Sequence, residues 1–504
     1  MGLENILVRE ISKECDKLIK RYHNYHNYIH LEHLRDSKRL NKVEDKYLKE
    51  PDYWITNKGC NPFYVKKNIN VIAHSIAKKI TERKYKPLSP STFEILKENG
   101  TLRPIVVYPI ADNVVSKLFY KRLLKKNKHR FSSYAYAYRN DRNVHFAIEE
   151  ISIDLNRSSR SFVAEFDFSD FFGNISHDYL RKQFDLNGFK ISDEERYIID
   201  AFLSNQVNNK GIPQGTSISL FLANLACWEL DHKLEKEGLN FARYADDTLI
   251  WSTNYQKICN SFNMINEFSQ AAGIPINTGK SEGISLLKQS DYKKSEFSEK
   301  GTKTNVDFLG YSISIDKISF RQKSIEKIKK EISYIIYKNL IQPLRNNNFR
   351  SHIQITENKD YHLMVAIMQI KRYIYGGLNN GQLVNYITGR SNRLMFKGLM
   401  SFYPLVNDEA QLNSLDGWLI ATLHRAIKLR AKLLINRNYI LPGKYAFPLD
   451  KTNLIITLNT ISKTKYHRNY EIPSFMLIHK ALKVGINKKG ISNIIRLDLP
   501  EYNY

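Results

Sequence analysis

Residues 241–251 have the sequence FARYADDTLIW, in which apolar and aromatic residues flank two adjacent acids, Asp246 and Asp247. Two β-prone runs joined by a short polar segment predict a β-hairpin that carries these acids at its turn. An ordinary solvated turn would explain this pair when it is taken alone. A third carboxylate at the end of another strand would indicate a shared metal site instead.

Such a carboxylate occurs in the stretch AEFDFSDFF (164–172), where Asp167 follows an apolar strand. Three clustered carboxylates repel one another and raise each other's pKa values. A pair of Mg²⁺ ions removes that repulsion, and two such ions about 3.5–4 Å apart can activate a hydroxyl and hold a leaving pyrophosphate. The sequence therefore predicts that Asp167, Asp246 and Asp247 form a metal-dependent catalytic site.

The charge balance predicts a polyanionic partner. The 504 residues include 77 Lys and Arg against 51 Asp and Glu, a formal net charge of +26. Nucleic acid is the simplest such partner, although the basic bias of an AT-rich genome would give a similar excess. The 31 tyrosines and 25 phenylalanines supply surfaces on which bases can stack.

Targeting signals and cysteine patterns are missing from the sequence. Its four cysteines are widely spaced, which is typical of neither a zinc site nor a disulfide framework and fits a reducing compartment. The N-terminal stretch lacks the apolar centre of a signal peptide, and no apolar run approaches the roughly 20 residues that span a bilayer. These features predict a cytoplasmic protein with no membrane partner.

Three segments differ in pattern. Residues 1–59 form a basic, helical leader, residues 60–320 alternate short strands with helices in an α+β pattern, and residues 321–504 are almost wholly helical. Within the second segment, residues 216–238 are predicted to form one long helix. In the third, a helix with isoleucines on one face is predicted to end at Pro343.

A histidine-rich stretch of the leader places His26, His30 and His33 on one face of a helix. Two interpretations stay open for this face. It packs or contacts RNA, or it binds a metal, for which no carboxylate or cysteine nearby completes the ligand set.

The motifs, taken in chain order, carry a resemblance to a known family. The chain resembles the reverse transcriptases, which are right-hand polymerases that copy RNA into DNA. The blocks that carry the resemblance are LRPIVVYP (102–109), SSYAYAYRNDRN (132–143), FDFSDFF (166–172), PQG (213–215), YADD (244–247), NTGK (277–280) and FLGYS (308–312). The resemblance implies an α+β fold with fingers and palm, an antiparallel palm sheet, and a mostly α-helical C-terminal thumb-like domain.

The same resemblance implies roles for the acidic residues. Asp167 and Asp246 would ligate two Mg²⁺ ions, for which Mn²⁺ can substitute, and the backbone of Phe168 would contribute a further ligand. Asp247 would be the third acid and the more dispensable one.

Four positions would contact the incoming dNTP. Arg103 would hold its triphosphate, Gln214 would line its pocket, and Lys280 would lie near the leaving pyrophosphate. Phe172 would lie under the sugar and exclude a 2′-hydroxyl, so that DNA is made. The alternatives are that Phe172 is an ordinary core residue and that Lys280 is a solvated surface lysine.

Two further residues, Arg139 and Tyr244, are predicted to contact nucleic acid. Arg139 lies in the sequence Ala137-Tyr138-Arg139, where the family usually has Gly-Phe-Arg. This departure places the geometry of the predicted fingers in question.

The segment beyond residue 321 bears on the subfamily. It lacks ribonuclease H, nuclease and integrase patterns, and the whole is similar to bacterial defence-associated reverse transcriptases of the unknown-group and abortive-infection types, with a palm like that of group II intron enzymes. This similarity implies antiphage defence, a dedicated non-coding RNA as template, a DNA product, and in some relatives a homo-oligomer.

Other functions remain open alternatives. The chain could be a retron or intron-maturase type of reverse transcriptase. It could also be an untemplated polymerase primed by a tail tyrosine, Tyr502 or Tyr504. A non-enzymatic alternative is an RNA-binding scaffold with a relic palm.

Overall fold

Helices and small sheets alternate along the chain, as the α+β pattern predicted. The structure, a computed structural model, describes residues 2–44, 50–96, 100, 102–158, 160–206, 208–289, 301–350, 355–356, 359–462 and 470–495. The chain divides into two compact units. The first contains Met1–Tyr25 and Leu48–Asn305, and the second contains His26–Tyr47 and Val306–Glu501.

The first unit combines a two-stranded and a five-stranded sheet with helices. Its helices are α1 (Leu3–Ser37, of which residues up to 25 belong here), α2 (Asp52–Thr56), α3 (Pro62–Lys67), α4 (Ile69–Thr81), α5 (Ile110–Asn127), α6 (Val144–Asn156), α7 (Phe171–Asn174), α8 (His177–Leu186), α9 (Asp193–Leu203), α10 (Ser217–Ala226), α11 (Trp228–Lys236) and α12 (Tyr255–Ala272). Its strands are β1 (Ser91–Leu96), β2 (Leu102–Val107), β3 (Arg160–Phe166), β4 (Asn240–Tyr244), β5 (Asp247–Ser252), β6 (Glu282–Lys288) and β7 (Thr302–Lys303).

The five-stranded sheet has the order β4-β5-β3-β6-β7. Neighbouring strands are antiparallel, as predicted for a palm, except that β6 and β7 are parallel. Ala164 and Phe166 of β3, Phe241 of β4 and Ile250 of β5 lie in one core with α10, α11 and α12. The sheet therefore presents the end of β3 and the β4–β5 turn at the same edge.

The prediction of one helix over residues 216–238 was wrong in one respect. The helix is interrupted at Cys227, where α10 ends and α11 begins. The two halves differ in burial, since α10 is almost wholly buried whereas the charged residues of α11 keep solvent contact, except for the buried Asp231. Because Cys227 is neither glycine nor proline, no residue type signals this break.

The second unit is mostly helical. It contains the sheet β8 (Val306–Phe308), β9 (Tyr311–Ile313) and β10 (Ile318–Phe320), the short pair β11 (Ile355–Thr356) and β12 (Lys359–Asp360), and the helices α13 (Gln322–Ile336), α14 (Gln342–Arg345), α15 (Tyr361–Tyr375), α16 (Asn380–Ile387), α17 (Leu399–Phe402), α18 (Glu409–Asn436), α19 (Lys451–Ser462), α20 (Phe475–Lys489) and α21 (Ile491–Ile494). Within this sheet, β8 and β9 form an antiparallel hairpin that contains the FLGYS block.

Pro343 does not end the helix that precedes it, contrary to the prediction. The helix passes from α13 into a π-helical turn at Tyr337–Ile341, and Pro343 lies in the first turn of α14. Proline is tolerated there because the N–H that it lacks would have no partner within the helix.

A buried ion pair joins two elements of the second unit. The guanidinium of Arg430 donates to both carboxylate oxygens of Asp360 at 2.6 and 3.0 Å, and Tyr445 donates to the same carboxylate at 2.9 Å. Burial favours the neutral acid, but Arg430 outweighs this effect and keeps the pKa of Asp360 below its usual value. The Asp360 side chain also caps α15, because its Oδ1 accepts a hydrogen bond from the N–H of His362.

The buried imidazole of His362 gives a pH-dependent stability. Its Nδ1 lies 3.1 Å from the carbonyl oxygen of Asn339, and burial, followed by the charge of Arg430, lowers its pKa to about 3. The folded chain thus keeps His362 neutral, whereas the unfolded chain protonates it below about pH 6.5. The free energy of unfolding therefore keeps its full value above that pH and decreases progressively as the pH falls towards 3.

We expect this loss to reach about 1.4 kcal/mol of unfolding free energy at pH 5.5. Urea unfolding at pH 7.5 and 5.5 measures it, with His362→Gln as the test variant and His30→Gln, at an exposed position of α1, as the control. His362→Gln should show a smaller drop between the two pH values than the control. Equal drops would contradict this origin of the pH dependence.

Four sequence predictions have separate outcomes. His26 and His30 lie exposed on α1 and His33 is half-buried. No helix in the described ranges has the length and apolar character needed to cross a membrane. Tyr502 and Tyr504 lie outside the described residues, and the predicted domain limits at 59 and 320 stay predictions.

Candidate active site

The two adjacent aspartates lie at a tight turn. Tyr244 pairs with Asp247 across the hairpin, which leaves Ala245 and Asp246 as the two turn residues. Ala245 has a φ of +61°, in the left-handed region that costs a residue with a Cβ some free energy. Such a turn needs support from elsewhere in the fold.

Arg243 provides this support from beneath the turn. Its Nη1 donates to the carbonyl oxygen of Ala245 at 3.1 Å, and its Nε and Nη2 donate to the carboxylate of Asp231 on α11 at 2.7 and 2.6 Å. Both charged side chains are about 1% exposed. The segment that contains Tyr134 and Tyr136 runs beside β4 and exchanges backbone hydrogen bonds with Arg243. The turn is therefore fixed on both sides.

The strand register brings the third acid next to this turn. Phe166 of β3 pairs with Thr248 of β5, so one step further Asp167 faces Asp247. Residues directly opposite on antiparallel strands have Cβ atoms about 4.5–5.5 Å apart, at which distance like charges destabilise each other. The structure thus places the three predicted acids, Asp167, Asp246 and Asp247, at one sheet edge.

The pKa values of Asp246 and Asp247 reflect this crowding. Burial and then the charge of Asp167 raise the pKa of Asp246, against the lowering effect of Lys280 and Arg103. Burial, followed by the charges of Asp246 and Asp167, raises the pKa of Asp247 to about 6.

Lys280 neutralises part of the acidic charge, and Asn277 donates a hydrogen bond to it. Lys280 Nζ lies 3.0 Å from Asp167 Oδ2, and Asn277 Nδ2 donates to the same oxygen at 2.7 Å. The hydroxyl of Ser281 accepts a hydrogen bond from the N–H of Asp167 at 3.2 Å. The NTGK block therefore folds directly against Asp167, although the Lys280 side chain is itself 70% exposed.

The acids suit a divalent cation in charge and donor type. In the β-bridge between Phe168 and Ile276, the carbonyl oxygens of Asp167 and Pro275 accept the hydrogen bonds. The carbonyl oxygen of Phe168 accepts none of the hydrogen bonds of this bridge. Oxygen donors of this kind are what Mg²⁺ prefers. Nevertheless, within the described ranges no three His, Cys, Asp or Glu side chains are grouped closely enough to hold a metal. The Lys280 ammonium is the cation that contacts Asp167.

We expect Lys280→Met to strengthen Mn²⁺ binding about tenfold, because the ammonium no longer competes for Asp167. Titration followed by electron paramagnetic resonance, without dNTPs, measures this affinity independently of activity. Lys303→Met is the matched control, since Lys303 pairs with Glu165 of the same sheet at 2.9 Å. Unchanged or weaker Mn²⁺ binding by Lys280→Met would contradict competition.

The Pro-Gln-Gly loop (213–215) lies between two elements of the site. The N–H of Ile212 donates to the carbonyl oxygen of Phe172 at 2.7 Å. On the other side Gly215 has a φ of +86°, and a Cβ there would meet the carbonyl oxygen of Val106 on β2. Only glycine accommodates both conditions. The half-buried Gln214 is thereby held between β2 and Phe172.

Phe172 packs against a residue whose role the sequence did not indicate. Its ring lies perpendicular to that of Tyr138, with centroids 6.2 Å apart. Burial, followed by the charge of Asp246, raises the pKa of Tyr138 to about 12. Tyr138 thus contacts the predicted sugar-selecting residue and lies close enough to Asp246 for that charge to affect it, while Phe172 itself remains half-buried.

The predicted arginine and tyrosine contacts have different surroundings. Arg103 is exposed on β2, close enough to Asp246 to lower its pKa. The Arg139 side chain is only 5% exposed and donates to Asp141 and to the carbonyl oxygen of Ser132. Arg139 thus holds its own loop together, and its predicted contact with nucleic acid stays a prediction. Tyr244 is half-buried in the hairpin.

Comparison with known proteins finds a family that matches the part of the chain containing this site. The family described as "Reverse transcriptase (RNA-dependent DNA polymerase)" matches residues 95–313. Residues 95–313 form a reverse transcriptase domain. The domain begins within β1 and ends with β9, so it contains the predicted acids and the Pro-Gln-Gly loop. The predicted resemblance to a bacterial reverse transcriptase, and the predicted fold class, are confirmed.

Two curated proteins are similar to the reverse transcriptase domain. Protein YkfC of Escherichia coli (strain K12) is 25% identical over 213 residues, which is 40% of this chain and 54% of YkfC. The Retron Ec86 reverse transcriptase of Escherichia coli is 22% identical over 221 residues, which is 43% of this chain and 62% of that enzyme. The chain thus spans little more than half the length of these relatives.

Solved structures with detectable likeness include telomerases from Candida albicans and Candida tropicalis, each in complex with a TWJ fragment of telomeric RNA. Both have a TM-score of 0.35 and 11% identity. The alignments cover 83% and 89% of this chain and 69% and 72% of the telomerase chains, respectively.

Two residues of the site had sequence signals that could have been used. Asn277 is the first residue of the NTGK block, for which the family resemblance implies a role of Lys280 alone. Arg243 is a charged residue inside an apolar strand, and such a residue usually has a buried partner. Asp231, twelve positions earlier, could not have been chosen from several nearby acids.

Proposed function

We propose that this protein is an RNA-directed DNA polymerase that extends a primer with dNTPs. The observation that carries the proposal is the register that sets Asp167 against the Asp246–Asp247 turn at one edge of the sheet. The reverse transcriptase domain that contains this edge supports it. The net charge of +26 favours a nucleic acid template.

The chain's own residues would act at three places. Asp167, Asp246 and the Phe168 carbonyl would hold divalent ions, with Asp247 as an accessory acid. Mg²⁺, when bound, would lower the pKa of a primer 3′-hydroxyl and stabilise charge on the leaving pyrophosphate. Lys280, released from Asp167, would donate hydrogen bonds or a proton to that pyrophosphate.

The remaining positions would select and orient the nucleotide. Arg103 would bind the triphosphate through its guanidinium, which matches phosphate oxygens in two places. Gln214 would lie against the base pair, and Phe172, supported by Tyr138, would exclude a ribose 2′-hydroxyl. Binding and orientation of the nucleotide would then be shared among four residues from separate segments of the chain.

We further propose that the enzyme acts in antiphage defence with a dedicated non-coding RNA as template. The motif order and the helical second unit beyond residue 313 support this assignment by their similarity to defence-associated enzymes. The second unit carries exposed lysines and arginines on α13 and α18, which suit an RNA partner. A homo-oligomer belongs to the same proposal.

The test is to purify the protein from its host with its bound nucleic acid, add labelled dNTPs and Mg²⁺, and sequence both the RNA and the product. We expect one defined RNA and a DNA complementary to part of it. DNA of unrelated or repetitive sequence attached to the protein would indicate untemplated, protein-primed synthesis. Tight RNA binding without any DNA synthesis would indicate a scaffold.

Phage plating on cells that express the wild type or Asp246→Asn tests the defence proposal separately. Protection by the wild type alone is the expected result. Equal protection by both proteins would exclude DNA synthesis as the source of defence.

A further inference from the structure

A cleft separate from the acidic edge lies in the first unit. Its volume is about 280 Å³, and its walls come from α1, α2, the start of α5 and the turn at Lys58–Cys60. This volume is near the lower end of the range of about 300–1,000 Å³ typical of small-molecule pockets. The cleft therefore suits one planar ring system better than a whole nucleotide.

Aromatic side chains form much of the cleft wall. The buried side chains of Trp54 and Tyr108 line the cleft, and the half-buried Tyr53 lines it as well. Tyr53 stacks on Phe93 with ring centroids 5.9 Å apart and an interplanar angle of 12°. Tyr53 is thus held flat by a neighbour, as a stacking surface requires.

Hydrogen-bonding groups lie along the polar part of the lining. Glu14 and Lys117 form an ion pair of 2.9 Å, and both side chains retain solvent contact. Asn113 contributes a carboxamide, which donates to the carbonyl oxygen of Tyr108 at 3.3 Å. A carboxylate, an ammonium and an amide beside aromatic walls complement the donors and acceptors on the edge of a nucleobase.

The surroundings of the cleft favour a nucleobase that belongs to a strand. Exposed lysines adjoin lining residues along the chain, since Lys17 precedes Leu18 and Lys58 lies two positions before Cys60. At the other end the lining includes Ser217, which directly follows the Pro-Gln-Gly loop and Thr216. Basic residues beside an aromatic cleft are typical of surfaces that bind single-stranded RNA.

We propose that this cleft receives one unpaired base of a bound RNA strand. The base stacks on the aromatic wall, and its edge forms hydrogen bonds with Asn113 and with the Glu14–Lys117 pair. The inserted base fixes the position of the RNA beside the Pro-Gln-Gly loop. The inference rests on the proposed function only in taking RNA as the ligand.

A short single-stranded RNA that contains one 2-aminopurine tests the proposal, because the emission of this adenine analogue falls when it stacks. The full chain is titrated without dNTPs or divalent ions, so that the result does not depend on DNA synthesis. Leu18→Trp fills the cleft from α1, and Leu31→Trp places the same residue on an exposed turn of that helix as a control. Thermal melting shows whether each variant is folded.

We expect quenching by the wild type and by Leu31→Trp. With Leu18→Trp the bound 2-aminopurine should stay bright and the RNA should bind about tenfold more weakly. A second pair avoids the risk of misfolding: Tyr53→Leu should lose the quenching and Tyr53→Phe should retain it.

Two results would overturn the proposal. If Leu18→Trp and Tyr53→Leu both bind and quench the RNA as the wild type does, no base enters the cleft. If these variants change only the quenching of free 2-aminopurine riboside and not that of the RNA, the cleft binds a free nucleoside or nucleotide rather than a strand.

Discussion

Asp246→Asn should lower DNA synthesis by about a thousandfold or more and leave RNA binding almost unchanged. Ligation of two cations by Asp246 would supply several kcal/mol of transition-state stabilisation, and each 1.36 kcal/mol corresponds to a tenfold change in rate. Asparagine keeps the size of the side chain but removes its charge. Since Asp246 is a turn residue rather than a core residue, the fold should tolerate the change.

Single-turnover primer extension with saturating dNTP measures the effect, together with RNA affinity by anisotropy. Asp170→Asn is the matched control: Asp170 is an exposed acid three residues after Asp167, with a φ of +42° that asparagine adopts readily. This control should extend the primer normally. Asp247→Asn should lose less activity than Asp246→Asn. Full extension by Asp246→Asn would remove this residue from the site.

Arg243→Met is expected to destabilise the first unit by about 3–5 kcal/mol, because it leaves the carboxylate of Asp231 buried without a partner. Asp231→Leu should cost a similar amount for the converse reason. The double variant should recover much of the loss, since two apolar side chains of similar size can replace a buried ion pair. Urea unfolding of the four proteins forms a double-mutant cycle.

The double variant separates stability from function. It restores an apolar interior but not the hydrogen bond from Arg243 to the carbonyl oxygen of Ala245. We therefore expect a folded protein whose primer extension remains well below that of the wild type, with a distorted catalytic turn. If the double variant instead loses the sum of the two single losses, the pair is not coupled and the support described for the turn is wrong.

Local patterns were enough to predict the elements that carry the acids. Asp167, Asp246 and Asp247 follow or interrupt short apolar runs, so the strands and the hairpin could be predicted from neighbouring residues. Residues whose partners are remote in sequence could not be predicted in this way. Asp231 stabilises the turn from α11, and Asn277 reaches Asp167 from 110 positions away.

The same limit explains why the surroundings of Arg139 and of Pro343 could not be predicted. Arginine is a residue type that often binds phosphate. Only the course of the loop shows that the guanidinium of Arg139 donates instead to Asp141 and to a backbone carbonyl oxygen. Pro343 is a helix breaker by type, yet its place in the first turn of α14 makes it harmless. Such outcomes depend on where the backbone goes, which residue type alone does not specify.

Helix α1 begins in one unit and ends in the other, so the second unit is assembled from segments far apart in the chain. Arg39, for example, donates to the side chain of Asn339, 300 positions later. At a synthesis rate of about 5–20 residues per second, roughly 15–60 s separate the emergence of these two residues from a ribosome. Throughout that interval residues 26–44 lack their neighbours from the later segments of the second unit, so this unit cannot complete its fold until residue 339 has emerged.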